Sequence, residues 1–162
     1  MKDRVTETGV QYATGRVQQV VVRTIKEGKT LVKTIDTPAS AWQYWKEHVY
    51  TRPDFDSMKE MLVSIMLDAS KRPIGYIVVT QGLLNETQCH AREVFRSAIV
   101  VGSHSVVLIH NHPSGNAVPS DADIHVTRKL IDAGKIVGIN IVDHVIATEE
   151  NHTSLRGLGV MF

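Results

Sequence analysis

The sequence predicts an α/β (α+β) fold, a sheet with helices packed on it, and three features carry that prediction. Residues 62–68 form a near-continuous apolar run that suits a strand buried on both faces, and residues 74–80 return after a Ser70-Lys71-Arg72-Pro73 turn. Two segments with helical spacing, 91–101 (Val94, Phe95, Ala98, Ile99) and 121–134 (Ile124, Thr127, Leu130, Ile131), alternate with short apolar strands at 105–109 and 139–147. Strands alternating with amphipathic helices bury their apolar faces by layering helices on a sheet.

The elements before residue 62 read less regularly. Residues 1–15 are polar, residues 17–25 are rich in β-branched side chains, and Glu27-Gly28-Lys29 with apolar residues 30–35 completes a hairpin pattern. Thr37-Pro38 with Ser40 opens a helix in which Ala39, Trp42, Trp45 and Val49 recur at helical spacing, so the two tryptophans are expected in core contact. Residues 51–54 (Thr-Arg-Pro-Asp) mark the expected boundary between an N-terminal extension, 1–52, and a second domain, 53–162. Residues 55–62 suit a short helix.

Composition narrows the function classes. The 162 residues are 43% hydrophobic and 22% charged with a formal charge of +1, a composition expected of an ordinary globular chain. That charge argues against a nucleic-acid coating protein, whose non-specific affinity comes from neutralised phosphates. A local surplus of basic residues in 1–35 is too small and too interleaved to predict tight duplex binding. Cys89 is the single cysteine, which excludes an intramolecular disulfide and a thiolate zinc site. No apolar run has the length of a membrane span and residues 1–15 are too polar for a signal peptide, so the expected location is the cytoplasm. Cys89 beside His90 does not predict a nucleophile pair, and His104 is expected at the surface.

The chemistry is concentrated in one segment. Three of the eight histidines, His104, His110 and His112, fall close together, and His110-Asn111-His112-Pro-Ser-Gly follows the strand at 105–109. If the strand continues through 112, both imidazoles share a face about 6.6–7 Å apart at the backbone, a separation that lets two nitrogens converge on one metal. Pro119-Ser120 then opens a helix whose first turn carries Asp123, which can fold back as a third ligand. Three protein ligands leave a fourth tetrahedral position open, as in catalytic zinc sites. Ser120-x-x-Asp123 is also a capping-box pattern, and His-x-His alone can line a polar strand end. Their joint occurrence at a strand, loop and helix junction favours the metal.

The order His110-x-His112-x7-Ser120-x2-Asp123 resembles the JAMM motif of the JAB/MPN metalloproteases, and within them the RadC branch. Arg92-Glu93-Val94-Phe95 and Asp143-His144-Val145-Ile146 are similar to that branch at the corresponding places, and the likeness covers roughly residues 55–162. It implies a JAB/MPN-like mixed sheet and a Zn²⁺ ion held by His110, His112 and Asp123. It also implies a glutamate just upstream of an early buried strand, and Glu60 is the residue that fits. Glu93 is the rival acid, but its helical setting points to an ion pair. By the same likeness Glu60 would be the general base and Ser120 an oxyanion donor. The zinc would polarise a carbonyl and lower the pKa of its water toward about 7. His144 would orient a ligand by touching it.

The expected substrate is a peptide or protein, with a homodimer as a possible assembly. Two alternatives stay open: a metal-dependent DNA-processing protein, and a non-catalytic scaffold. Gly82-Leu83 and Cys89-His90-Ala91 depart from the branch's pattern at positions that are not ligands. The helix-hairpin-helix segment of longer RadC proteins has no counterpart in residues 1–50.

Overall fold

The computed structural model describes residues 29–82 and 89–161. In chain order the elements are α1 (Pro38–His48), β1 (Met61–Leu67), β2 (Pro73–Gln81), α2 (Ala91–Val100), β3 (Ser105–Asn111), α3 (Asp121–Val137), β4 (Asn140–Ala147) and β5 (His152–Ser154). They form the mixed sheet flanked by helices that the sequence predicts, with strand order β2-β1-β3-β4-β5. Only β3 and β4 run parallel, and α3 is their crossover; the other neighbours are antiparallel.

Every residue of β1 and of β3 is buried, as near-continuous apolar runs require. Alternation along the strands sorts their side chains into two layers. Leu62, Met66, Val106 and Leu108 pack with Val94, Phe95 and Ala98 of α2 and with Val126 and Leu130 of α3. Val63, Ile65, Leu67, Val107 and Ile109 face the other way and pack with Ala41, Tyr44, Trp45 and Val49. Trp45 is fully buried there, and Trp42 donates its indole N–H to the Thr148 carbonyl, 3.0 Å away, while stacking on His152. Both tryptophans are therefore packing residues.

Three local expectations need correction. Residues 30–35 form no strand. Val32 and Ile35 both enter the α1-side core, a three-residue spacing that a two-residue strand period cannot place on one face. Glu47 captures Thr30 and the Leu31 amide, and the Ile35 amide donates to the Lys71 carbonyl. The other half of the expected hairpin, residues 17–25, lies outside the described residues.

Residues 55–62 are turns followed by the first residues of β1, not a helix. Asp56 accepts from the Met58 amide, and Met61 donates its amide across the sheet to the Asn111 side chain instead of back along the chain.

Helix α3 runs one turn beyond Gly134. That glycine sits inside the helix because an added Cβ would stand 2.6 Å from the Ile139 carbonyl oxygen and 3.1 Å from the Phe95 ring. The residue that ends α3 is Gly138, at φ 74°, with its amide on the Gly134 carbonyl. The short strand β5 carries no period of its own and was not expected.

Candidate metal centre

The site forms where β3 ends and α3 begins. Strand pairing continues past His110, since the His112 amide donates to the Ala147 carbonyl at 3.0 Å, and so the rings of His110 and His112 come to the same face. Their Nε2 atoms are 3.0 Å apart. Asp123 reaches back from the first turn of α3, with Oδ1 3.2 Å from His110 Nε2 and Oδ2 3.5 Å from His112 Nε2. His110 and Asp123 are buried and His112 is half-buried.

These distances match the chemistry of a bound cation. Ligand bonds of about 2.0–2.1 Å in a tetrahedron place donor atoms about 3.3 Å apart, so one ion fits between the two nitrogens and the carboxylate with little movement. The His112 Nδ1–H donates to the Asn116 carbonyl at 2.8 Å, which leaves Nε2 as the nitrogen that faces Asp123 and that a metal can claim. Burial opposes ionisation of Asp123, but its hydrogen bonds to His110 and His112 outweigh that and hold its carboxyl well below the usual carboxylate range. Two imidazoles and a carboxylate are the donor set of zinc and similar divalent metals.

The comparison with known proteins decides the family. Residues 35–160 match the RadC-like JAB domain. The chain belongs to the RadC-like JAB domain family. It is 48% identical over 105 residues to a UPF0758 protein of Methanospirillum hungatei, covering 65% of this chain and 46% of that one. A UPF0758 protein of Finegoldia magna is 42% identical over 97 residues, with 60% and 44% covered. One from Geobacter sulfurreducens is 37% identical over 118 residues, with 71% and 52% covered. The chain thus spans about half the length of the curated relatives it matches. The matched region takes in α1 as well as the sheet.

In this RadC-like JAB domain Glu60 is half-buried and directly precedes β1, whose Leu62 pairs with His110. The hydrogen bond that His112 donates to Asp123 raises its proton affinity above the ordinary imidazole value, and the charge of Glu60 adds to the effect. Glu60 thus stands directly before the strand that pairs with the one carrying His110 and leading to His112. Glu93 pairs instead with Arg92 and Arg96 on α2, as expected.

Ser120 caps α3. Its hydroxyl donates to Asp123 Oδ2 at 2.7 Å and accepts from the Asp123 amide, while its own amide donates to the same carboxylate oxygen at 2.8 Å. The capping box and the ligand set are thus one structure, and the two readings of Ser120-x-x-Asp123 do not exclude each other.

His144 is fully buried on β4, and its Nε2 lies 2.8 Å from His110 Nδ1. Burial holds its ring well below the ordinary imidazole range. His104 is exposed. Cys89 is buried, and burial pushes its thiol up to about 11, far from a nucleophile's range.

Two residues escaped the sequence reading. Asn111 points away from the metal face and holds the chain on both sides of Glu60: its Oδ1 accepts from the Met61 amide at 2.8 Å and its Nδ2 donates to the Lys59 carbonyl at 2.9 Å. Thr127 lies one turn along α3 from Asp123 and bonds both the Asp123 carbonyl and His144 Nδ1. The i, i+4 spacing of Asp123 and Thr127 is the one sequence signal that marks it.

Proposed function

We propose that this chain is a zinc-dependent hydrolase of JAMM type that cleaves a peptide or isopeptide bond. The observation that carries this reading is the convergence of two imidazole nitrogens and one carboxylate at a spacing that suits a single ion, with Glu60 directly before the strand that pairs with His110. Zinc held by His110, His112 and Asp123 would supply a Lewis acid that polarises the scissile carbonyl and acidifies water.

The rest of the chemistry belongs to the protein. Glu60 accepts a proton from the attacking water and later returns it to the leaving amine, and Asn111 fixes the backbone that carries it. Ser120 aims the Asp123 carboxylate through the capping box. Turned from Asp123 toward the substrate, the same hydroxyl serves as donor to the developing oxyanion, a contribution of about 10²–10³ in rate for such a donor. Burial of His110 and Asp123 keeps bulk water from their inner side, which strengthens every polar contact made there.

The test separates ligand from base. Purified protein is expected to hold about one zinc per chain, and a His110→Ala, His112→Ala double variant is expected to lose it. Glu60→Gln should keep the zinc and lose about 10²–10⁴ in turnover on a cleavable peptide or isopeptide substrate. Wild-type turnover in Glu60→Gln removes Glu60 from the mechanism. Metal-dependent nicking of duplex DNA, abolished by Asp123→Ala, would replace this reading with a nuclease. Zinc binding with no turnover on either substrate class would replace it with a scaffold.

A further inference from the structure

The inner side of the site holds a hydrogen-bonded line that no ligand role requires. His110 Nδ1 meets His144 Nε2, His144 Nδ1 meets the Thr127 hydroxyl, and that hydroxyl meets the Asp123 carbonyl. His110, His144 and Thr127 are all wholly buried, so water does not substitute for any of these partners. The line begins on one metal-ligand candidate and ends on the backbone of another.

Its polarity follows from counting protons. A carbonyl oxygen only accepts, so the single Thr127 proton goes to Asp123, the ordinary back-bond of a helical threonine. The hydroxyl oxygen is then left to accept from His144 Nδ1–H. Full burial between His110 and Thr127 keeps the His144 ring neutral with one N–H, so its Nε2 is bare and accepts from His110 Nδ1–H. The proton on Nδ1 leaves Nε2 as the His110 nitrogen that faces His112 and Asp123 and that a metal can claim.

We propose that Thr127 and His144 are positioning residues that select the metal-binding tautomer of His110, a function that rests on the zinc reading above. Reversal of the line, with Thr127 donating to His144, would put a proton on His110 Nε2 and block that ligand. The α3 backbone decides against reversal, because it offers Thr127 a fixed acceptor.

The test uses the full chain with ¹⁵N-labelled histidine, the tautomers being read by NMR on metal-free protein, and zinc affinity measured by chelator competition. Metal-free wild type is expected to show His110 and His144 both protonated on Nδ1. Thr127→Val, nearly isosteric but unable to accept, should move the proton of His144 to Nε2 and that of His110 with it. Zinc affinity should fall about 10–100-fold, the usual cost of removing a group that orients a ligand. Thr127→Ser should restore both the tautomer and the affinity. A wild-type His110 bare on Nδ1, or a Thr127→Val protein with unchanged tautomers and affinity, overturns the proposal, and the wild-type arm decides even if Thr127→Val fails to fold. Absence of zinc binding by wild type with the expected tautomers would sink the zinc reading while leaving the line's polarity established.

Discussion

Asn111 shows how one side chain sets the position of another without touching the chemistry. Both of its hydrogen bonds are spent on the backbone around Glu60. Asn111→Ala should therefore leave zinc near one per chain while lowering turnover. It should also cost about 1–3 kcal/mol in a denaturant titration, since the Met61 amide loses its partner in a buried place. His112 supports a prediction about pH. Its proton affinity is raised in the folded protein, so in metal-free protein its contribution to stability is fully present below the unfolded value near 6.5 and is lost as pH rises through the folded one. Asp123 is depressed, so its contribution is present above about 3.9 and is lost as pH falls. Zinc competes with the His112 proton, and its affinity should therefore climb as pH rises through the folded His112 value. Competition assays at a series of pH values would show this, and a flat profile would remove His112 from the ligand set. At this scale the sequence was most legible in His110, His112 and Asp123, because their spacing along a strand and a helix start has few geometric outcomes. The role of Asn111 was hidden, since its partners lie some fifty residues away and no local period joins them.

Among the elements, those with a strong period were legible and those shaped by a distant partner were not. The strands at 62–68 and 105–109 and the helix at 91–101 were placed almost as found, because burial on both faces or on one stripe leaves its pattern in the chain. Helix α3 was ended too soon at Gly134, where glycine answers to the approach of Ile139 and Phe95 and not to a helix end. Gly134→Ala should accordingly destabilise the protein by about 1–3 kcal/mol through overcrowding, even though alanine gains about 1 kcal/mol in helix propensity. Thermal melts of that variant check it, and a raised melting temperature would show that α3 can shift away from the sheet. The junction of β4 and β5 depends on Asp143, whose carboxylate accepts from Ser154 Oγ and from the amides of His144 and Arg156. Burial pushes that carboxyl above its ordinary value, but three donors hold it in place.

At the scale of the whole molecule, the sheet stands between two apolar layers and the candidate metal site lies at the C-terminal end of its parallel pair. Those layers form without any ion, so chelation should leave a cooperatively folded protein that loses zinc but keeps its melting transition. Complete unfolding on chelation would mean that the site is structural. Among the described residues no helix is long and apolar enough to cross a membrane.

The carboxylate of Asp123 is held by Ser120 whether or not an ion is there, because the hydroxyl and amide that grip it belong to the start of α3. The ordering entropy of that ligand is thus met during folding and not at metal binding, and exchange of the ion asks little rearrangement of the chain. There is a second side to this. Asparagine at position 123 would still offer an oxygen to the Ser120 amide, so the helix would start where it does now while the negative charge was gone. In descent, a chain of this kind has a short route to a form in which the architecture outlives the chemistry.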